Sequence, residues 1–114
     1  MKELQISVHL KIHPGKLEEF KTIAAVCMKS VREKDTGTLQ YDWFFNEDHS
    51  ECKVREKYRD SDAVLEHIAN LGERFGQLLS VSDFSAEVFG EPSETLLKAT
   101  EGLDSKLYSF FQKI

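Results

Sequence analysis

Val54-Arg55-Glu56-Lys57-Tyr58-Arg59-Asp60-Ser61-Asp62-Ala63-Val64-Leu65-Glu66-His67-Ile68-Ala69-Asn70-Leu71 changes its period halfway along. In the first half, Val54, Glu56 and Tyr58 alternate with Arg55 and Lys57, the two-residue repeat of a strand. In the second half, Val64, His67, Ile68 and Leu71 recur at three and four, the stripe of an amphipathic helix. Between them, Asp60 or Ser61 can accept from the first free helix amides, and Asp62 suits the positive end of the helix dipole. A strand that runs straight into a helix with a histidine on its inner face is the unit around which the remaining segments arrange themselves.

Upstream, Leu4, Ile6, Val8, Leu10 and Ile12 share one face and Gln5, Ser7, His9 and Lys11 the other, which predicts a half-buried strand ended by Pro14-Gly15. From Lys16 the period becomes helical: Leu17, Phe20, Ala24, Cys27 and Val31 face inward over about five turns. Asp35-Thr36-Gly37 ends that helix, with Gly37 expected in the left-handed conformation. A second strand carries Leu39, Tyr41, Trp43 and Phe45 on one side. The polar loop Asn46 to Ser50 returns it into the strand that ends at Tyr58 as an antiparallel hairpin.

Downstream, helix extends over 62–80 with a break expected at Gly72 or Gly76, and Phe84, Ala86 and Val88 mark a further strand. The order is β-α-β-β-α-β, an α+β class with a ferredoxin-like antiparallel sheet and helices on one face. The opposite face is left open. It would carry Ser7, His9, Asp42, Phe44, Arg55 and Phe89, whose aromatics fit either a homodimer in which two such sheets pack back to back or a solvated face with isolated exposed rings. Residues 1–90 form this domain. Residues 91–114 are an extension, a short helix after Pro92-Ser93 and an apolar tail from Ser105 that fits helix or strand and should dock on its own or a partner subunit.

Composition narrows the function. The 114 residues suit one domain, and 40% hydrophobic with 31% charged content is that of a globular chain. A net charge of -5 supplies no basic footprint for nucleic acid. No apolar run reaches the ~20 residues of a membrane span. Met1-Lys2-Glu3-Leu4-Gln5 has no apolar signal core, so a cytoplasmic location is the expectation. Cys27 and Cys52 read as buried thiols. His9 and His13 would lie about 13 Å apart on a strand, too far to share a metal, and no metal site or phosphate loop is predicted.

The Pro14-Gly15-Lys16 lead into the first helix, Thr36-Gly37-Thr38-Leu39-Gln40-Tyr41, and Arg55-Glu56-Lys57-Tyr58-Arg59-Asp60 followed by Ala63 and His67 resemble the antibiotic biosynthesis monooxygenase family over roughly residues 4–90. The resemblance implies a dimeric α+β barrel with a pocket between helices and sheet in each subunit. It also implies oxidation of a small phenolic or quinol-like aromatic by molecular oxygen, with no cofactor. Relatives in the wider group degrade haem or isomerise lactones. Haem degradation is disfavoured, because that branch uses an asparagine where this chain has Val8, and a late histidine that 72–82 lacks. Family members commonly carry Trp where this chain has Tyr58.

On this reading His67 is the general base, an imidazole near neutral pKa that takes a phenolic proton. Tyr41 and Tyr58 position the substrate and Trp43 forms a wall. Glu56, on an apolar face, also borders the substrate and is expected to pair with Arg32, Arg59 or Arg74. A small-molecule-binding dimer without catalysis, and an isomerase or cyclase using the same histidine, are the alternatives.

Overall fold

The computed structural model describes residues 2–114. Nine elements follow one another: β1 (Leu4–Ile12), α1 (Leu17–Lys34), β2 (Thr38–Phe45), β3 (Glu51–Tyr58), α2 (Ser61–Leu71), α3 (Glu73–Val81), β4 (Ser82–Phe89), α4 (Glu94–Ala99) and β5 (Ser105–Tyr108). The sheet order is β2-β3-β1-β4-β5, and its first four strands make the expected antiparallel ferredoxin-like arrangement. Of the tail, Ser105–Tyr108 is a strand and residues 109–114 are irregular. β5 adds parallel to β4, with Val88 opposite Leu107 and Phe89 opposite Tyr108, so the sheet is mixed. A parallel neighbour requires a crossover, and α4 supplies it.

Register decides which side chains meet. Ile6 lies opposite both Glu56 and Val88, Val8 opposite Val54 and Ala86, and Tyr41 opposite Glu56. All of these occupy the face under the helices, where Leu4, Leu10, Phe20, Cys27, Val54 and Tyr58 are almost wholly buried. Cys27 and Cys52 are free, buried thiols, both pushed up to about 11 by burial. The opposite face carries Phe44, Phe89 and Tyr108, all exposed, with Phe89 and Tyr108 stacked at 5.4 Å. His9 and His13 also lie there, each bonded to a carboxylate of its own: Glu51 at 2.5 Å and Asp83 at 2.9 Å.

Three local details fix the helix that carries His67. Asp60 accepts from the Ala63 amide at 2.9 Å and is the cap of α2. Ser61 Oγ accepts from the Ser93 amide at 2.9 Å, tying the extension to the same turn. Gly37, contrary to expectation, is not left-handed; positive φ falls at Gly15, His49, Gly72 and Gly90. Gly37 is required by proximity, since a Cβ there would stand 2.5 Å from the Ala63 Cβ. Gly37→Ala should therefore lower stability by about 1–3 kcal/mol through overpacking, read by chemical denaturation. The helical break occurs at Gly72 (φ 55°), where α2 ends and α3 begins, while Gly76 lies within α3.

Candidate functional site

A cavity of about 120 Å³ lies between the covered face of the sheet and α2, α3 and α4. Its floor is Ile6, Val8, Val54 and Ala86, and its roof Val64, Ile68 and Leu71. Tyr41, Trp43, Glu56 and His67 supply the polar end, and no lysine or arginine among the described residues lines it. An enclosed space of ~150 Å³ accepts benzene, so this cavity has the size of about one ring. The extension matters to it: Pro92, Leu96, Leu97, Thr100, Leu103, Ser105 and Leu107 form its far side.

His67 is buried, and its Nδ1 lies 2.9 Å from Asp35 Oδ2. Asp35 follows directly on α1, and its side chain is 1% exposed. It also accepts from Asn70 Nδ2 at 2.9 Å and from Thr38 Oγ1 at 2.5 Å. A carboxylate only accepts, so Nδ1 carries the imidazole proton and Nε2 keeps its lone pair. Nε2 makes no hydrogen bond to a described residue. Burial pulls the His67 pKa down, and the bond to Asp35 works against that. The ring is further held by Tyr41, edge-on at 5.0 Å, and by Tyr58 at 5.3 Å. The imidazole is thus oriented by a buried carboxylate, and burial favours its neutral form.

Glu56 corrects an expectation. None of Arg32, Arg59 and Arg74 reaches it, and Arg59 instead lies 3.5 Å from Asp60. Its partner is Tyr58, whose hydroxyl donates to Glu56 Oε1 at 2.5 Å. Burial pushes the carboxyl up to about 7; the Tyr58 bond lowers it and Asp35 adds to the rise. Tyr58 itself does not line the cavity: it is fully buried behind the wall and acts on Glu56. Burial, followed by the nearness of Glu56, holds both Tyr41 and Tyr58 well above the usual phenol range. Both stay neutral donors. Trp43 Nε1 is buried without a hydrogen-bond partner, an unmet donor beside the same space.

The structure thus gathers four sequence-predicted residues, His67, Tyr41, Trp43 and Glu56, around one cavity and places Tyr58 behind them. Sequence reasoning missed Asp35, which it took for a helix end, and the whole contribution of the extension. Asp35 lies 32 positions from His67 with no repeat or motif linking them. The only signal was the requirement that a buried histidine have a partner.

A family model described as antibiotic biosynthesis monooxygenase matches residues 5–71. Among curated proteins none matches the chain. In solved structures, the fold of MupZ from Pseudomonas fluorescens superposes with a TM-score of 0.84 at 22% identity, covering 100% of this chain and 94% of that one. SnoaB, a cofactor-independent oxygenase from Streptomyces nogalater, superposes with a TM-score of 0.69 at 16% identity, covering 82% of this chain and 96% of its own. At these identities the likeness is one of fold.

Proposed function

The chain belongs to the antibiotic biosynthesis monooxygenase family, and on that footing we propose that it is a cofactor-independent monooxygenase acting on a small phenolic or quinol-like aromatic. The observation that carries this reading is the Asp35–His67 pair, set in a one-ring apolar cavity beside Tyr41 and Trp43. His67 Nε2 removes the phenolic proton. The resulting phenolate is electron-rich enough to reduce oxygen directly, one oxygen atom entering the ring as a carbonyl and the other leaving as water. Tyr41 hydrogen-bonds the substrate oxygen, and the aliphatic walls keep bulk water from the intermediate. A cavity without cations favours an uncharged ring over a carboxylated or phosphorylated one.

Oxygen uptake with a panel of monocyclic quinols tests the proposal. Uptake by the wild-type protein and its loss in His67→Ala are expected. Thermal stabilisation by the same compounds with no uptake would make the protein a binder rather than an oxygenase. The cavity volume adds a size prediction: one-ring quinols should turn over at least tenfold faster, in kcat/KM, than three-ring phenols.

A homodimer is part of the same proposal, supported by Phe44, Phe89 and Tyr108 exposed together on the open face of the sheet. Phe44→Glu would bring a charge into each half of a two-fold contact. It should weaken the dimer by about tenfold or more in Kd, equivalent to ~1.4 kcal/mol. Sedimentation velocity across a dilution series reads this, and a wild-type monomer at all concentrations would sink the dimer.

A further inference from the structure

We propose that Glu56 is the proton donor that works opposite His67, so that the cavity also catalyses enolisation of a small cyclic ketone, a reaction that needs no oxygen. The inference rests on His67 as the base and is independent of oxygen chemistry.

Glu56 stands at the middle of the covered sheet face, between Ile6 on β1 and Tyr41 on β2. Its Oε1 is taken by Tyr58, no hydrogen bond to a described residue engages Oε2, and the residue lines the cavity. The titratable groups beside it are Tyr58 on its own strand, Tyr41 on β2 and Asp35 after α1, and His67 on α2 lines the same cavity. None of these is a fixed cation. A carboxyl buried without a counter-charge is held as the neutral acid, which agrees with its rise to about 7. His67 is driven the opposite way, toward the neutral base. One cavity therefore holds a carboxyl whose surroundings favour its protonated form and an imidazole whose surroundings favour its neutral form. Paired environments of this kind assign acid and base roles. The rings of Tyr41 and Tyr58 pack against the imidazole, and no hydrogen bond joins Glu56 to His67.

The step balances without a further reactant. The α C–H bond of the ketone breaks and its proton passes to His67 Nε2. The freed electron pair forms the carbon–carbon double bond, and the carbonyl π pair takes the Glu56 proton to give the enol. Glu56 is left as carboxylate and His67 as imidazolium, and return of a proton to carbon resets both. Tyr58 is a positioning residue: it fixes Oε1 and favours the carboxylate that the step produces.

The test is α-deuteration of cyclohexanone and of cyclohex-2-enone in deuterated buffer under nitrogen, followed by proton NMR. The wild-type protein should exchange both faster than heat-denatured protein does. His67→Ala should lose this entirely, and Glu56→Gln should lose tenfold or more while unfolding at no lower temperature than wild type. Tyr58→Phe supplies a second reading. Removing its hydrogen bond raises the Glu56 pKa, so the alkaline limb of the exchange profile should move to higher pH. Exchange by wild type no faster than the denatured control, full activity in Glu56→Gln, or an unmoved alkaline limb in Tyr58→Phe would each overturn the proposal. Exchange under nitrogen without oxygen uptake in air would sink the oxygenase and leave this assignment standing; uptake without exchange would do the reverse.

Discussion

Oxygen uptake by the His67→Ala variant is expected to fall by about 10²–10⁴-fold in kcat with every accepted quinol, the range that loss of a positioned general base produces. The size follows from the surroundings of the imidazole. Its Nδ1 is fixed on Asp35, its ring is held by two tyrosines, and the cavity offers no second neutral base. Asp35→Asn should be nearly as damaging, because an amide can donate to Nδ1 and turn the proton onto Nε2, the atom that must accept. The pH profile follows from the same contacts. Burial lowers the His67 pKa, so the neutral base persists below the usual 6.5 and the acid limb of kcat/KM should fall beneath that value. Uptake by His67→Ala within threefold of wild type would remove His67 from the mechanism.

The second large effect is on stability. Glu56 is buried, and its pKa rises from the ordinary 4.5 to about 7 on folding. The native state therefore holds a proton that the unfolded chain releases between those values, so stability falls as pH rises through this window. Above pH 7 the full penalty applies, on the order of 3 kcal/mol at ~1.36 kcal/mol per pKa unit. Glu56→Gln keeps an acceptor for the Tyr58 hydroxyl and removes the charge. It should match wild type near pH 4.5 and exceed it by about 2–3 kcal/mol at pH 8. His67 acts with the opposite sign, since its lowered pKa destabilises the protein at acid pH. That contribution is common to both proteins and cancels in the comparison. Urea denaturation from pH 5 to 8 gives the answer, and a gap that stays constant with pH would show that Glu56 does not carry this penalty. A gap that widens with pH would make the cavity an instance of stability given up for chemistry.

The fold was legible because the hydrophobic period changed cleanly at each junction. Two-residue alternation in Leu4 to Ile12 and in Val54 to Tyr58, against three-and-four spacing from Val64 to Leu71, leaves one layered arrangement. The tail was less so, because Leu107, Tyr108, Phe110 and Phe111 satisfy both periods; pairing with β4 decides for a strand at Ser105–Tyr108. For the site, alternation alone put Tyr41, Trp43 and Glu56 on the face beneath His67. What the sequence could not reveal were partners chosen in three dimensions. Glu56 meets a neutral phenol two residues away instead of an arginine, and Asp35 comes to His67 only after β2, β3 and α2 have folded back over α1. Charge pairing by type predicts an ion pair wherever an acid is buried. A carboxyl that remains protonated escapes that rule.

The position of β1 sets how the chain is able to fold as it is made. This first strand lies in the interior of the sheet, with Leu4 beside Tyr58 on one side and Gln5 beside Phe89 on the other. While the ribosome extends the chain, β1 has no partner until about forty residues have followed it, when Glu51 begins β3, and its second neighbour arrives later still. Its apolar side therefore stays uncovered through much of synthesis, when such surfaces are prone to aggregate or to be met by chaperones. Closure of these distant pairs sets the pace, so refolding should belong with that of mixed α/β domains and be slower than that of a helical bundle of equal length.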